Sequence, residues 1–198
     1  ATESIVIGGD HSSLPAMDED SFLKVKSEAQ SKVIPKTTVA YKITGIKKRP
    51  QELKVIHGIM SAKQVVRIAK QYEVTVSSLL CSILIYAIYE QKYKFNQDLH
   101  PIIVTVPIDL RGRFGSHTLR NFFSNVNVMI TPGPDLSFDD LLKDVSNQLN
   151  EGKKPEVVNR KINDNVSAQK NMMIRFVPLG IKNMVMRHIY HEADKGVT

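Results

Sequence analysis

Between Ala62 and Tyr72 the apolar residues Val65, Val66, Ile68, Ala69 and Tyr72 recur three and four positions apart. That spacing predicts an amphipathic helix with Ser61 as its N-cap and Glu73-Val74 as its close. A second helix is expected over Val76–Lys92, capped by Thr75 or Ser77. Here Leu79, Leu80, Cys81, Ile83, Leu84, Ile85, Ala87 and Ile88 surround the axis, so burial on every face is expected. Pro101–Ile108 is a continuous apolar run with β-branched residues at its centre and predicts a central strand. In Phe122–Thr131, Val126, Val128 and Ile130 alternate with Asn125, Asn127 and Met129, which predicts a strand with one covered face. Ser137 then caps a helix from Phe138 to about Gly152, with Asp139 and Asp140 at its positive end. From Pro155 the pattern is helical again, is interrupted at Pro178-Leu179-Gly180, and ends in an apolar and basic tail over Arg175–Tyr190.

The first 36 residues carry Gly, Ser, Pro and acids in turn-forming order, with one short helix expected near Asp18. Thr37–Thr44 alternates β-branched and aromatic residues and reads as a strand, as does Leu53–Met60. Strands interleaved with helices define an α/β fold with a mixed sheet. The chain divides into an irregular crossover or linker segment with one strand, residues 1–52, and an α/β domain with a basic helical tail, residues 53–198.

The charge and cysteine content narrow the function. A single cysteine, Cys81, sits inside an apolar run, where it reads as a small buried hydrophobe, and it permits no internal disulfide. That fits a reducing, cytoplasmic compartment. The longest apolar run, around Ile83–Tyr89, falls short of a membrane span of about 20 residues. A net charge of +7 admits anionic partners or simple solubility. Lys153, Lys154, Arg160, Lys161, Lys170, Arg175, Lys182 and Arg187 line residues 153–187 with only Phe176 as an aromatic among them. Stacking on bases is poorly supported, and no nucleic-acid partner is expected. The simpler reading is a solvated helix whose Met172, Met173, Met184 and Met186 rest on the core; attachment to a membrane surface stays open.

Six histidines occur, and His188 and His191 are three apart, but the spacing matches no HExxH or HxxEH signature, so no metal is expected. The chain has no GxSxG, no P-loop and no GxGxxG motif. What remains informative is Val106–Asn127. Arg111 falls just past the end of the expected central strand, beside the glycines of "DLRGRFGSHTLRN", and Phe122-Phe123 lead into the next strand. Function in α/β folds collects at such strand ends. The plainer role for Arg111 is to cap the connection or pair with a nearby carboxylate.

Three segments in order resemble the CoA-dependent acyltransferases of the chloramphenicol acetyltransferase and condensation-domain type, above all the bacterial alcohol acetyltransferase-like proteins. They are "SAKQVVRIAKQYEVTVSSLLCSILIYAIYEQ", "PIIVTVPIDLRGRF", and "LRNFFSNVNVMI" with "SFDDLLKDVSNQL" after it. Residues 53–155 carry the resemblance well, and Arg120 stands where many relatives have glycine. It implies an α/β two-layer sandwich of two pseudo-symmetric halves, of which this chain is part of the C-terminal one. It also implies transfer of an acyl group from acyl-CoA to a hydroxyl acceptor in a tunnel between the halves. The family's HHxxxDG motif is absent, because no two histidines are adjacent; no catalytic residue is therefore expected in this chain. The resemblance makes Arg111 a structural support that pairs with the Asp of that motif, and makes Asn121, Ser124 and Asn125 candidates for the tunnel lining. The implied partners are the N-terminal half, acyl-CoA and an alcohol. A homodimer is the other way to cover the apolar surface that a lone half exposes. A non-catalytic scaffold domain of the same fold, held at a membrane surface by its tail, is the alternative.

Overall fold

The computed structural model describes residues 17–25, 38–43, 45, 49, 52, 55–93, 100–170 and 178–196. Expectations placed on residues 1–16, 26–37 and 171–177, among them His11, Met172, Met173, Arg175 and Phe176, lie outside the described residues.

An antiparallel pair of strands, β1 (Ile102–Asp109) and β2 (Phe123–Ile130), runs in register from Ile102 opposite Ile130 to Asp109 opposite Phe123. The period-two pattern sets the faces of this pair. Val126, Val128 and Ile130 are buried, while Phe123, Asn125, Asn127 and Met129 are exposed. The buried row lies opposite half-buried Val106 and Val104 and fully buried Ile102.

Six α-helices accompany the strands among the described residues. They are α1 (Ala62–Gln71), α2 (Val76–Ile88), the single turn α3 (Arg111–Phe114), α4 (Phe138–Gly152), α5 (Pro155–Lys170) and α6 (Leu179–Lys195). Helices α2 and α4 cover the buried face of the strands. Cys81, Ile85 and Ile88 of α2 and Leu141, Val145 and Leu149 of α4 share one core cluster with Val126, Val128 and Ile130. The four-residue spacing in α4 is what brings its leucines and valine to one side. Helix α1 joins through Ala69, which packs with Leu79 and Leu142. Thr75 and Ser137 cap α2 and α4, their hydroxyls accepting from Ser78 N at 3.1 Å and Asp140 N at 3.4 Å. Ser61 makes no such side-chain bond. Just past α1, Glu73 takes a left-handed φ of 54°, and Val74 N donates back to Ala69 O at 3.0 Å. Cys81 is buried, and burial pushes its thiol pKa up, so it behaves as a small apolar side chain.

The α/β character holds, but several sequence expectations do not. Among the described residues the sheet is the two antiparallel strands alone, not a mixed sheet. Residues 55–60 of the expected strand Leu53–Met60 join no ladder, and Ile59 is 99% exposed. A run of β-forming residues becomes a strand only beside a partner edge with a face to bury. Residues 38–43 form no strand either, although Tyr41 N donates to Pro101 O, just before β1, at 2.8 Å. Helix α2 is not buried all round, since Leu80, Ile83 and Leu84 are exposed. Met184 and Met186 do not rest on the core; both are exposed. Helix α6 is tied by its last turn, with Ala40 N donating to Lys195 O at 2.7 Å and the Lys42 ammonium to Asp194 O. No single helix among the described residues is long and apolar enough to cross a membrane.

The outer edge of β2 is held by side chains. The Gln148 amide imitates a strand at Met129, accepting from its N–H and donating to its C=O, each at 2.9 Å. Lys161 Nζ donates to Asn125 O at 2.8 Å. A lysine laid along an edge is a common guard against strand addition.

Close approach of α4 to β2 leaves no room at Gly152. A Cβ there would lie 2.5 Å from Val126 Cγ1 and 2.7 Å from Cγ2. Gly152→Ala is expected to destabilise the fold by about 1–3 kcal/mol in urea unfolding. Adding Val126→Ala should make the Gly152→Ala step markedly less costly, and an unchanged cost in that background would refute the contact.

Candidate functional site

The connection between β1 and β2 is built around Arg111. Leu110 N donates to Phe122 O at 3.1 Å, which closes the end of the ladder. Asp109 Oδ1 accepts from Arg111 N at 3.3 Å, so the last strand residue holds the first N–H of α3. Gly115 ends that turn with φ 59°, a conformation that favours glycine.

The Arg111 guanidinium then ties three points of the connection together. Nη1 donates to Asp109 Oδ1, Nε to Thr118 O and Nη2 to Arg120 O, all at 2.8 Å. A guanidinium carries five N–H bonds in a rigid plane, and these contacts use three of them. Lysine has no such fork, so it could not hold the three acceptors at once. The carboxylate that pairs with Arg111 is thus Asp109, two residues away, and the plainer of the two roles read from the sequence is the one observed.

Residues 17–25 strap this connection from outside. Leu119 N donates to Met17 O at 2.8 Å, and the buried Thr118 hydroxyl donates to Glu19 O at 2.7 Å. The same hydroxyl accepts from Arg120 N at 3.2 Å. The hydroxyls of Ser21 and Ser116 lie 2.6 Å apart. Phe22 meets Phe122 edge to face with centroids 4.8 Å apart. Below it Leu110, Phe122, Val158 and Ile162 form a second buried cluster. The Glu19 carboxylate accepts from Lys24 and from Ser21 Oγ, which holds its pKa below the usual value, the Lys24 bond first and the Ser21 bond second.

The candidate lining residues are placed apart. Asn121 is exposed just before β2, and Asn125 is exposed on the outer face. Ser124 is half-buried on the opposite, helix-facing side, across from Ile108. Successive strand residues alternate faces, so Ser124 cannot share a wall with Asn125. Asp109 and Thr118 complete the arrangement and were not singled out from the sequence, and Lys161 joins it, having been read only as one of the cations of residues 153–187. A local signal existed for Asp109, an acid two residues before an arginine at a strand end. Lys161 gave none, because its link to Asn125 crosses 36 residues. Among the described residues, no three His, Cys, Asp or Glu side chains stand together in a way that could hold a metal ion. No family model, curated protein or solved structure matches this chain.

Thr118→Val keeps the shape and removes the hydroxyl. It should destabilise the strap by about 1–3 kcal/mol and speed proteolysis within residues 17–25; an unchanged cleavage rate would remove Thr118 from that role. Glu19 gives a pH dependence. Its folded pKa lies below the unfolded value, so its contribution is complete above the unfolded pKa and is lost as pH falls through the folded one. Acid should therefore loosen residues 17–25, and Glu19→Gln should flatten that acid limb in hydrogen exchange.

Proposed function

We propose that this chain is part of a CoA-dependent acyltransferase of the alcohol acetyltransferase-like type, forming one wall of a tunnel completed by the N-terminal half of the protein. In this reading an acyl group passes from the CoA thioester to an alcohol oxygen. The catalytic histidine belongs to the other half, and this chain shapes the site without supplying the base.

The observation that carries the reading is the Arg111 clamp. The Pro-x-x-x-Arg stretch that resembles the family, Pro107 to Arg111, ends on a guanidinium that is fixed by three bonds and has two N–H bonds left over. A carboxylate arriving from the other half would meet a cation whose position is already set, which favours a short, oriented pair. Exposed Leu80, Ile83 and Leu84 on α2 agree with a surface that another part of the protein covers.

In the intact acyltransferase, Arg111→Ala should lower thiol release from acyl-CoA by roughly a hundredfold, mainly in kcat, because a misplaced catalytic loop loses orientation more than binding. Arg111→Lys should recover little of this. The isolated chain should release no thiol above a blank. Full turnover in Arg111→Ala would sink the proposed role of the clamp, and turnover by the isolated chain would sink the division of labour.

A further inference from the structure

Two of the three acceptors that fix the Arg111 guanidinium lie in a stretch whose support comes partly from outside the connection. The Asp109 carboxylate is local, two residues from the arginine. Thr118 O and Arg120 O belong instead to residues 116–120, which form no helix or strand. Residues 17–25 hold that stretch at three points. The Thr118 hydroxyl donates to Glu19 O at 2.7 Å and lies 3.3 Å from Met17 O, and Leu119 N donates to Met17 O at 2.8 Å. Ser116 Oγ accepts from Thr118 N at 3.1 Å and lies 2.6 Å from Ser21 Oγ. Ser21 gives its one hydroxyl proton to Glu19 at 2.9 Å, so the proton between the two serines comes from Ser116. The Ser116 hydroxyl, the Thr118 hydroxyl and Leu119 N thus all donate to the strap.

Thr118 is the joint between the two sets of bonds. Its carbonyl accepts from Arg111 Nε, and its hydroxyl donates to the strap. The same hydroxyl accepts from the N–H of Arg120, the residue whose carbonyl takes Arg111 Nη2. The strap itself is lightly held. Within residues 17–25 Ser21 alone is buried, Phe22 and Val25 are half-buried, and the regular structure is the single 3-10 turn Ser21–Lys24. A segment with so few buried apolar contacts opens at a lower free energy than the core it rests on.

We infer that residues 17–25 are a latch for Arg111, with Thr118 as the positioning residue between them. With the latch docked, the guanidinium is fixed at three points. With the latch open, residues 116–120 lose Met17, Glu19 and Ser21 together, and the guanidinium swings about its local contact with Asp109. A fixed guanidinium plane presents its remaining N–H bonds in one direction, whereas a swinging one must give up that freedom when it meets a carboxylate. The latch therefore sets how ready Arg111 is to pair with an incoming anion. This coupling does not need the acyl-transfer reading. A coupled Arg111 in a chain that never meets acyl-CoA leaves it standing, and an active acyltransferase with an uncoupled Arg111 removes it alone.

The test is nuclear magnetic resonance of the full chain with isotope-labelled arginine, reading exchange of the Arg111 Nε–H with water. Arg111→Lys identifies the signal by its loss, and the amides of β1 and β2 serve as the reference. Thr118→Val should speed the Arg111 exchange roughly tenfold relative to those amides. Thr118→Ser, which restores the hydroxyl, should return it to the original rate. Because Thr118 also stands within the connection, Phe22→Ala is the second variant. It loosens the strap at Phe122 without touching any bond of the guanidinium, and it should speed the exchange in the same direction. Faster exchange of the amides of residues 17–25 in Phe22→Ala, with Arg111 unchanged, would overturn the inference. So would an unchanged Arg111 in Thr118→Val, or a Thr118→Ser chain as fast as Thr118→Val.

Discussion

The buried face of β2 is the constraint on which the rest depends. Val126, Val128 and Ile130 must all leave water together, since a period of two puts them on one side. That one requirement sets the register against Ile102, Val104 and Val106, calls α2 and α4 onto the same face, and brings α4 so close that position 152 has space only for glycine. A shift of one residue would turn the asparagines inward and leave polar amides in an apolar cluster, which is why the register is strongly specified.

Fixing the register also fixes the far end of the pair. Asp109 falls opposite Phe123, and the thirteen residues between the strands must turn back over a short gap. They do so on one arginine. The Arg111 guanidinium gathers the Asp109 carboxylate and the carbonyls of Thr118 and Arg120, and Thr118 in turn carries the strap of residues 17–25. The strap and α5 meet on a second apolar cluster around Phe122, so the connection is anchored by polar bonds on one side and by burial on the other. The guanidinium keeps two N–H bonds beyond its three contacts.

Charge is distributed on a different principle from the apolar core. Neutralised pairs such as Arg111–Asp109 shape the backbone. Among the described residues Arg113 and Lys161 have no carboxylate partner and hold main-chain carbonyls instead, Lys153 O and Asn125 O. Exposed pairs contribute little to stability, so the uneven placement bears on what the surface attracts more than on how the chain folds.

The sequence by itself determined the elements whose signals are local. The alternation in β2, the apolar run of β1, the i, i+4 pattern of α4 with Ser137 at its start, and the close of α1 at Glu73-Val74 were all legible. So was the position of Arg111 at the end of β1, together with its pairing to a nearby carboxylate, because that partner is only two residues away. The tertiary structure alone decided whatever needed a distant partner. Leu53–Met60 has strand-forming residues, but residues 55–60 find no edge to pair with. The apolar ring of α2 reads as full burial, yet its buried residues face β2, α4 and α1, and Leu80, Ile83 and Leu84 stay exposed. Ser124 and Asn125 are adjacent in sequence and stand on opposite faces; Lys161 and Asn125 are 36 residues apart and touch. Pattern records what a residue prefers to leave or to enter, and only the packed chain supplies the surface that receives it.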